Sequence, residues 1–243
     1  MWDQSEGYLC KGGNFMSRYA LKFSKEGYIK YTSHLDMLRL FKRSFKRVEV
    51  KLQYSQGFNP HPKMSFAQPL SLGYSSTSEY LEFDTIESFQ PTEIMERLNS
   101  VMPEGVTIIS CYELPLGGKT MASLTEYGEY VIEIPIGSFL DIEDAGNFNI
   151  IKALEKYISR EKIIVSKVQR KSGKEIEIDI KPMIKSISGL VVSNNIMLTI
   201  KINAGSVSNL SPEMVLTSFC TFAGILYDRA EVSIKRTEIY FNN

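Results

Sequence analysis

Residues Ser33 to Val48 read SHLDMLRLFKRSFKRV. Ser33 stands where a helix would begin, and Asp36 follows three residues later. The serine can accept from a first-turn amide, while the aspartate can reach back and complement the positive helix end. At 100° per residue, Leu38, Phe41, Phe45 and Val48 fall within an arc of about 80°, the expected core face. Arg39, Arg43, Lys46 and Arg47 collect on the far side, with Lys42 at the border. The stretch therefore predicts a helix that is apolar on one side and cationic on the other. Five cations in nine residues, with one carboxylate upstream, cannot be balanced by pairs within the helix.

The flanks of this helix set the fold class. Before it, Tyr19 to Phe23 (YALKF) alternates, and Tyr28 to Tyr31 (YIKY) does so after a Glu26-Gly27 turn, which predicts a strand or hairpin. After it, short strands are expected near Val50 to Tyr54 and Lys63 to Ala67, and a clearer one at Glu79 to Asp84 (EYLEFD). Pro91-Thr92 starts a second helix with Ile94, Met95, Leu98, Val101 and Met102 on one side, ended by Pro103 and Gly105. Val106 to Tyr112 (VTIISCY) reads as a strand. Strand, helix, strand, strand, helix, strand is the order of a split βαβ unit, the ferredoxin-like sandwich.

Leu114 to Thr125 (LPLGGKTMASLT) has little periodicity and reads as a linker, with Gly117-Gly118-Lys119 a flexible tip. The second half repeats the plan more loosely. Strands are expected at Glu129 to Ile134, Ile163 to Val168, Glu175 to Ile180 (EIEIDI) and Val232 to Phe241. A helix is expected over Asn149 to Ser159, and a hairpin joins Leu190 to Val192 and Ile196 to Ile202 around Asn194-Asn195. Ser211-Pro212-Glu213 supplies an N-cap and a proline at the first helical position, with Gly224 as the stop. The expectation is an α+β protein of two ferredoxin-like (split βαβ) sandwich units, the second looser. Residues 1–15 form a disordered extension, 16–113 the first domain and 126–243 the second.

A chain of 243 residues, 43% apolar and 23% charged, has an ordinary globular composition. Lysine plus arginine equals aspartate plus glutamate at 28 each, so the distribution of charge is what informs. Residues 16–63 carry a net +8, residues 64–161 a net −11 and residues 162–243 a net +4. A basic segment beside an acidic one suggests a polar partner held in one orientation, or charges that neutralise one another within the fold. Cysteines at 10, 111 and 220 are too few and scattered for a disulfide framework, a zinc site or an iron–sulfur cluster. No metal or other cofactor is expected. No run of about 18 apolar residues predicts a membrane span, and the opening MWDQSEGYLCKGGNF lacks the apolar stretch of a signal peptide. The expected compartment is the cytoplasm.

The loop Gly57 to Lys63 (GFNPHPK) lies between two expected strands and holds one of the two histidines. Gly57 allows a positive φ angle, while Pro60 and Pro62 push Asn59 and His61 toward extended geometry. His61 is thus presented with little backbone freedom left to lose. Lys63 and Ser65 add a charge and a hydroxyl beside it, and Phe58 a flat apolar surface. Such a histidine could bind phosphate or shuttle a proton in RNA backbone cleavage; the loop could equally be a rigid structural turn. His34, in the first helical turn at the middle of the apolar arc, reads as a packed core histidine or as one at the lip of a cleft beside the free first-turn amides. Nothing matches a Ser-His-Asp set, a metal triad or a phosphate-binding glycine loop.

The helix YTSHLDMLRLFKRSFKR, the loop YSQGFNPHPKMSFAQPLSLG and the later LNSVMPEGVTI together resemble the radical-SAM-linked family, a bacterial domain of unknown function encoded beside or fused to a cobalamin-type radical SAM protein. The resemblance covers Met16 to about Tyr112 closely and extends more loosely through KEIEIDIKPMIKS and RTEIYF. Radical SAM enzymes hold their cluster with a CxxxCxxC motif, which this chain lacks. The resemblance therefore implies a non-catalytic accessory protein that binds a substrate for a separate radical enzyme. A weaker likeness, in architecture and basic character, is to RNA-binding and RNA-cleaving ferredoxin-like proteins of CRISPR systems.

Three functions follow as expectations. The first is an accessory protein of a radical SAM enzyme that binds an anionic substrate, RNA foremost, through Arg39, Lys42, Arg43, Lys46, Arg47, Phe58, Asn59, His61, Lys63 and Ser65. The second is a metal-independent ribonuclease or RNA-modifying enzyme using His34 or His61. The third is a protein-assembly partner without nucleic acid. The first requires the cationic helix face and the Pro-His-Pro turn to border one groove.

Overall fold

The computed structural model describes residues 16–135, 149–169, 173–193 and 195–242. The chain divides into two compact units, the first ending at Leu124 and the second beginning at Thr125. The extension expected over residues 1–15 lies outside the described residues.

The first unit runs β1 (Ser17–Lys25), α1 (His34–Arg47), β2 (Met64–Phe66), β3 (Ser75–Thr85), α2 (Pro91–Asn99) and β4 (Ile108–Leu114). Its strands lie in the order β4-β1-β3-β2, and each pairs antiparallel with its neighbour. This is the split βαβ sandwich, and alternation drives it. Leu21 stands opposite Leu81, and Tyr19 opposite Phe83. These four side chains and Phe23 are almost wholly buried in one core with Phe41 and Phe45 of α1 and with Ile94 and Leu98 of α2. The ring of Phe23 meets Phe41 edge-on at 4.9 Å, and Phe45 lies 4.6 Å from Phe83. The intervening β3 residues Glu82 and Asp84 fall on the opposite face of the sheet.

Four local expectations change. Tyr28 to Tyr31 is a 3₁₀ turn (Gly27–Tyr31) instead of a strand; four alternating residues cannot tell the two apart. Its entry is fixed by Glu26 N–H donating to Gly105 O at 2.8 Å. A Cβ on Gly105 (φ 88) would lie 2.4 Å from Glu26 O, so only glycine allows that approach. Val50 to Tyr54 forms isolated bridges, Leu52 to Thr85 and Tyr54 to Pro62, in place of a strand. The segment divides its hydrogen bonds between two neighbours, Gln53 N–H donating to Asp84 O and Lys63 N–H to Gln53 O. On α1 the buried residues are Met37, Phe41, Ser44 and Phe45, while Leu38 and Val48 are only partly covered. The inner arc is thus rotated from the expected one. The linker stretch carries a short helix, α3 (Met121–Leu124).

The second unit runs β5 (Thr125–Pro135), α4 (Ile150–Ser159), β6 (Ile164–Val168), β7 (Glu175–Asp179), β8 (Ile184–Val192), β9 (Asn195–Asn203), α5 (Pro212–Ala223) and β10 (Ser233–Phe241). With the β6–β7 hairpin set aside as an insertion, its strands lie in the order β10-β5-β9-β8, which repeats the plan of the first unit. Alternation again selects the inner face: Ile132 and Ile134 of β5 and Ile196, Leu198, Ile200 and Ile202 of β9 are all fully buried. Ser211 caps α5 by accepting from Glu213 N–H, and Gly224 ends it in the left-handed region at φ 68. Asn194, at the expected hairpin turn, lies outside the described residues; β8 and β9 pair as far as Val192 and Asn195.

Candidate functional site

Two clefts of the first unit hold five of the ten expected binding residues. One, of about 980 Å³, runs along α1 and is lined by Lys42, Lys46, Lys51, Arg97, Tyr54 and Phe89, among others. The Lys42 ammonium stands 5.9 Å from the centre of the Tyr54 ring, and the Arg97 guanidinium 5.9 Å from that of Phe89. Cations over aromatic faces are a surface on which phosphates and bases can both be held. Lys51 pairs with Glu87 at 2.8 Å, and Arg97 with Glu93. Arg39 pairs with Asp36 at 2.7 Å. The hydrogen bond from Ser33, and then that from Arg39, holds the Asp36 carboxyl below its ordinary range. Arg43, Lys46 and Arg47 are exposed and form no ion pair among the described residues.

The other cleft, of about 890 Å³, is bounded by the Pro-His-Pro loop, by β2 and β3 and by the turn at 116–120. Its floor is an ionic lattice. Arg18 donates to Glu82 at 2.7 Å and to the carbonyls of Gly118 and Lys119 at 2.9 and 3.0 Å. Glu82 also accepts from Ser65 Oγ at 2.9 Å and from Met121 N–H at 2.9 Å. Both side chains are about nine-tenths buried. Beside them Lys63 Nζ donates to Gln53 at 3.1 Å and stands 3.8 Å from the Asp84 carboxylate. Burial pushes the Asp84 carboxyl up, against the opposing pull of Lys63 and Arg18.

The single groove expected for the helix and the loop is thus two clefts. Lys42 and Lys46 line the first; His61, Lys63 and Ser65 line the second. Between them Tyr54 lines the first cleft and bridges to Pro62 of the second. Arg39, Arg43 and Arg47 are exposed on α1 outside both linings, and Phe58 and Asn59 are exposed at the loop tip. His34 is not a packed core residue: Met37 and Phe41 fill the inner face, and His34 lies exposed with its ring edge-on to Phe66 at 5.2 Å. It lines a separate small pocket with Lys25 and Glu79, so the two histidines do not share a site. Among the described residues no group of three or more histidine, cysteine, aspartate or glutamate side chains could hold a metal ion. No helix among them is long and apolar enough to cross a membrane.

Sequence reasoning did not find Arg18, Glu82, Asp84 or the 116–120 turn. The alternation in EYLEFD places Glu82 and Asp84 on the face away from the core, but Arg18 reaches them only through the β1–β3 register, in which Arg18 stands opposite Asp84. The turn expected as a flexible tip is tied down by Arg18.

These features define an α+β protein built from two split βαβ units, with a cationic helix and a charged cleft in the first. The chain belongs to the family described as "Uncharacterized protein conserved in bacteria (DUF2344)", which matches residues 18–212. No curated protein matches it. Similar solved structures include a Cbf5-Nop10-Gar1 complex, at 10% identity over 91% of this chain and 48% of that chain with a TM-score of 0.49. An unknown protein from Galdieria sulphuraria is similar at 12% identity over 93% of this chain and 99% of that chain, with a TM-score of 0.27. The chain spans about half the length of the first of these.

Proposed function

We propose that this protein is a non-catalytic accessory factor of a radical SAM enzyme, and that it holds an RNA substrate on the cationic side of α1 and in the cleft beside it, without the common groove that a joint site with the Pro-His-Pro turn required. The radical SAM link rests on the resemblance of the SHLD helix and the GFNPHPK loop to that bacterial family. The observation that carries RNA binding is the exposure of Arg43, Lys46 and Arg47 without a carboxylate partner, next to a cleft where Lys42 stands over Tyr54. Unpaired cations in a row repel one another, and a polyanion relieves that repulsion while releasing its own counterions. Tyr54, exposed beside Lys42, adds a ring face on which a base of a single strand can stack. The setting is the cytoplasm, where such substrates are found.

Titration of a fluorescent single-stranded RNA across a range of salt tests this reading. Affinity should fall steeply as salt rises. The double variant Arg43→Ala/Lys46→Ala should flatten the log–log slope by about 1.4, two phosphates at about 0.7 each, with no change in melting temperature. Binding that is absent, or indifferent to salt, refutes the proposal.

A further inference from the structure

The second cleft carries one group that the fold leaves unfinished. The buried pair on its floor is satisfied internally: Arg18 donates to Glu82 and to backbone carbonyls, and Glu82 accepts from Arg18, Ser65 and Met121. Asp84 differs. Its side chain is 22% exposed, and its charged neighbour Lys63 stands at 3.8 Å, beyond hydrogen-bond reach. Lys63 spends its hydrogen bond on Gln53 instead. A half-buried carboxylate facing a cleft with its accepting capacity open is a site for a donor.

We infer that this cleft receives one unpaired nucleobase presenting a pair of N–H donors to Asp84, guanine above all. The inference rests on the RNA-binding reading and names what that RNA must offer. A guanine edge sets two N–H groups side by side, which the two oxygens of a carboxylate can accept together. Uracil would set carbonyl oxygens against the same carboxylate. Sequence-specific recognition of RNA generally reads such edges on splayed-out bases. The volume, about 890 Å³, lies within the range of about 300–1,000 Å³ found for small-molecule sites. Met64 and Leu116 supply apolar surface for the ring, and His61 and Lys63 line the same cleft, where they can meet a nucleotide phosphate. The Tyr54–Pro62 bridge joins this cleft to the one along α1. A strand with its phosphates on Lys42 and Lys46 could therefore cross Tyr54 and drop one base beside Asp84.

Two probes separate this inference from the reading beneath it. Guanosine and uridine 5′-monophosphates, titrated into the full chain, interrogate the cleft alone. Single-stranded octamers differing at one position, guanine or uracil, interrogate it within RNA across a range of salt. The chain should prefer guanine about tenfold in both formats, one bidentate base contact's worth. Asp84→Asn should bring the ratio within about twofold, because an amide can serve both bases. That variant keeps the backbone bonds of Asp84 to Gln53 and Lys63, and its melting curve verifies folding. Lys63→Gln should weaken both mononucleotides alike and leave their ratio. Salt-dependent binding of octamers without base preference overturns the inference and leaves RNA binding standing. Preference among mononucleotides, with no salt-dependent binding of any octamer, overturns the RNA reading and leaves a mononucleotide site.

Discussion

The two units share a strand order and a way of starting helices, but they differ in what their exposed faces carry. In the first unit α1 bears Arg39, Lys42, Arg43, Lys46 and Arg47 against one acid, Asp36. The corresponding helix of the second unit, α4, mixes Lys152 and Lys156 with Glu155. Both helices bury an apolar stripe against a sheet, Phe41 and Phe45 in one, Leu154 and Tyr157 in the other. The buried stripe is what the sandwich requires; the sign of the outer face is not. A run of like charge that the fold does not need, and that costs it some self-repulsion, is the feature on which the proposed RNA binding draws.

The sharpest way to break the comparison is at the Arg18–Glu82 pair, which ties the 116–120 turn to the sheet of the first unit. Glu82→Ala leaves a buried guanidinium without its carboxylate and removes the acceptor of the Ser65 hydroxyl and Met121 N–H bonds. Removal of one partner from a buried pair costs about 3–5 kcal/mol. The expected outcome is a large fall in melting temperature, with hydrogen exchange quickening first in β1, β3 and the turn. The exposed Lys51–Glu87 pair provides the control: Glu87→Gln should leave the melt nearly unchanged. Equal effects would mean that the lattice under the cleft is no more than surface charge.

That lattice also shows where sequence reasoning stops. Helices and strands were legible because their signals are local: Ser33 with Asp36, Ser211 with Pro212, the alternation of EYLEFD and EIEIDI. The cations of α1 were legible for the same reason. The floor of the second cleft was not, because Arg18 and Glu82 are 64 residues apart and meet only through strand register. The two clefts were not legible either. His61 and Lys46 look equally available in sequence, and only the structure places them in different clefts, which meet at the bridge between Tyr54 and Pro62. Local pattern also misread Tyr28 to Tyr31, where a short alternation serves a 3₁₀ turn as well as a strand.

The helix starts sharpen the comparison at a smaller scale. Ser33 accepts from Asp36 N–H at 3.2 Å and donates to the Asp36 carboxylate at 2.7 Å. Ser211 accepts from Glu213 N–H at 3.3 Å, with Pro212 following in the first turn. Loss of an N-cap costs about 1 kcal/mol, so Ser33→Ala and Ser211→Ala should each lower stability by about that amount in chemical denaturation. They should differ in acid. Ser33→Ala also removes the largest influence holding the Asp36 carboxyl down, so its titration should move up toward the ordinary value. Ser211→Ala should shift no carboxylate in the first unit. A matching acid shift in both variants would contradict the local origin of the Asp36 effect.

The smallest expected effect bears on the second cleft. Burial raises the Asp84 carboxyl above its ordinary 3.8, so the folded chain binds that proton more tightly than the unfolded one. Linkage then fixes the sign: the cost of ionising Asp84 is absent at pH values below 3.8, grows as pH climbs toward the folded value, and is fully present above it. Asp84→Asn carries no such cost. Its advantage in melting temperature over the parent should therefore be least near about pH 3.5 and greatest near about pH 7, by a modest amount because the group is partly solvated and Lys63 stands close. A ligand that donates to the carboxylate favours the ionised form, so guanosine monophosphate should pull the Asp84 titration back down, as carboxyl NMR shifts would record. Uridine monophosphate should leave it in place. If both nucleotides move it equally, the phosphate and not the base is what the cleft senses, and the contrast between an electrostatic groove and a base-reading pocket collapses into a single cationic surface.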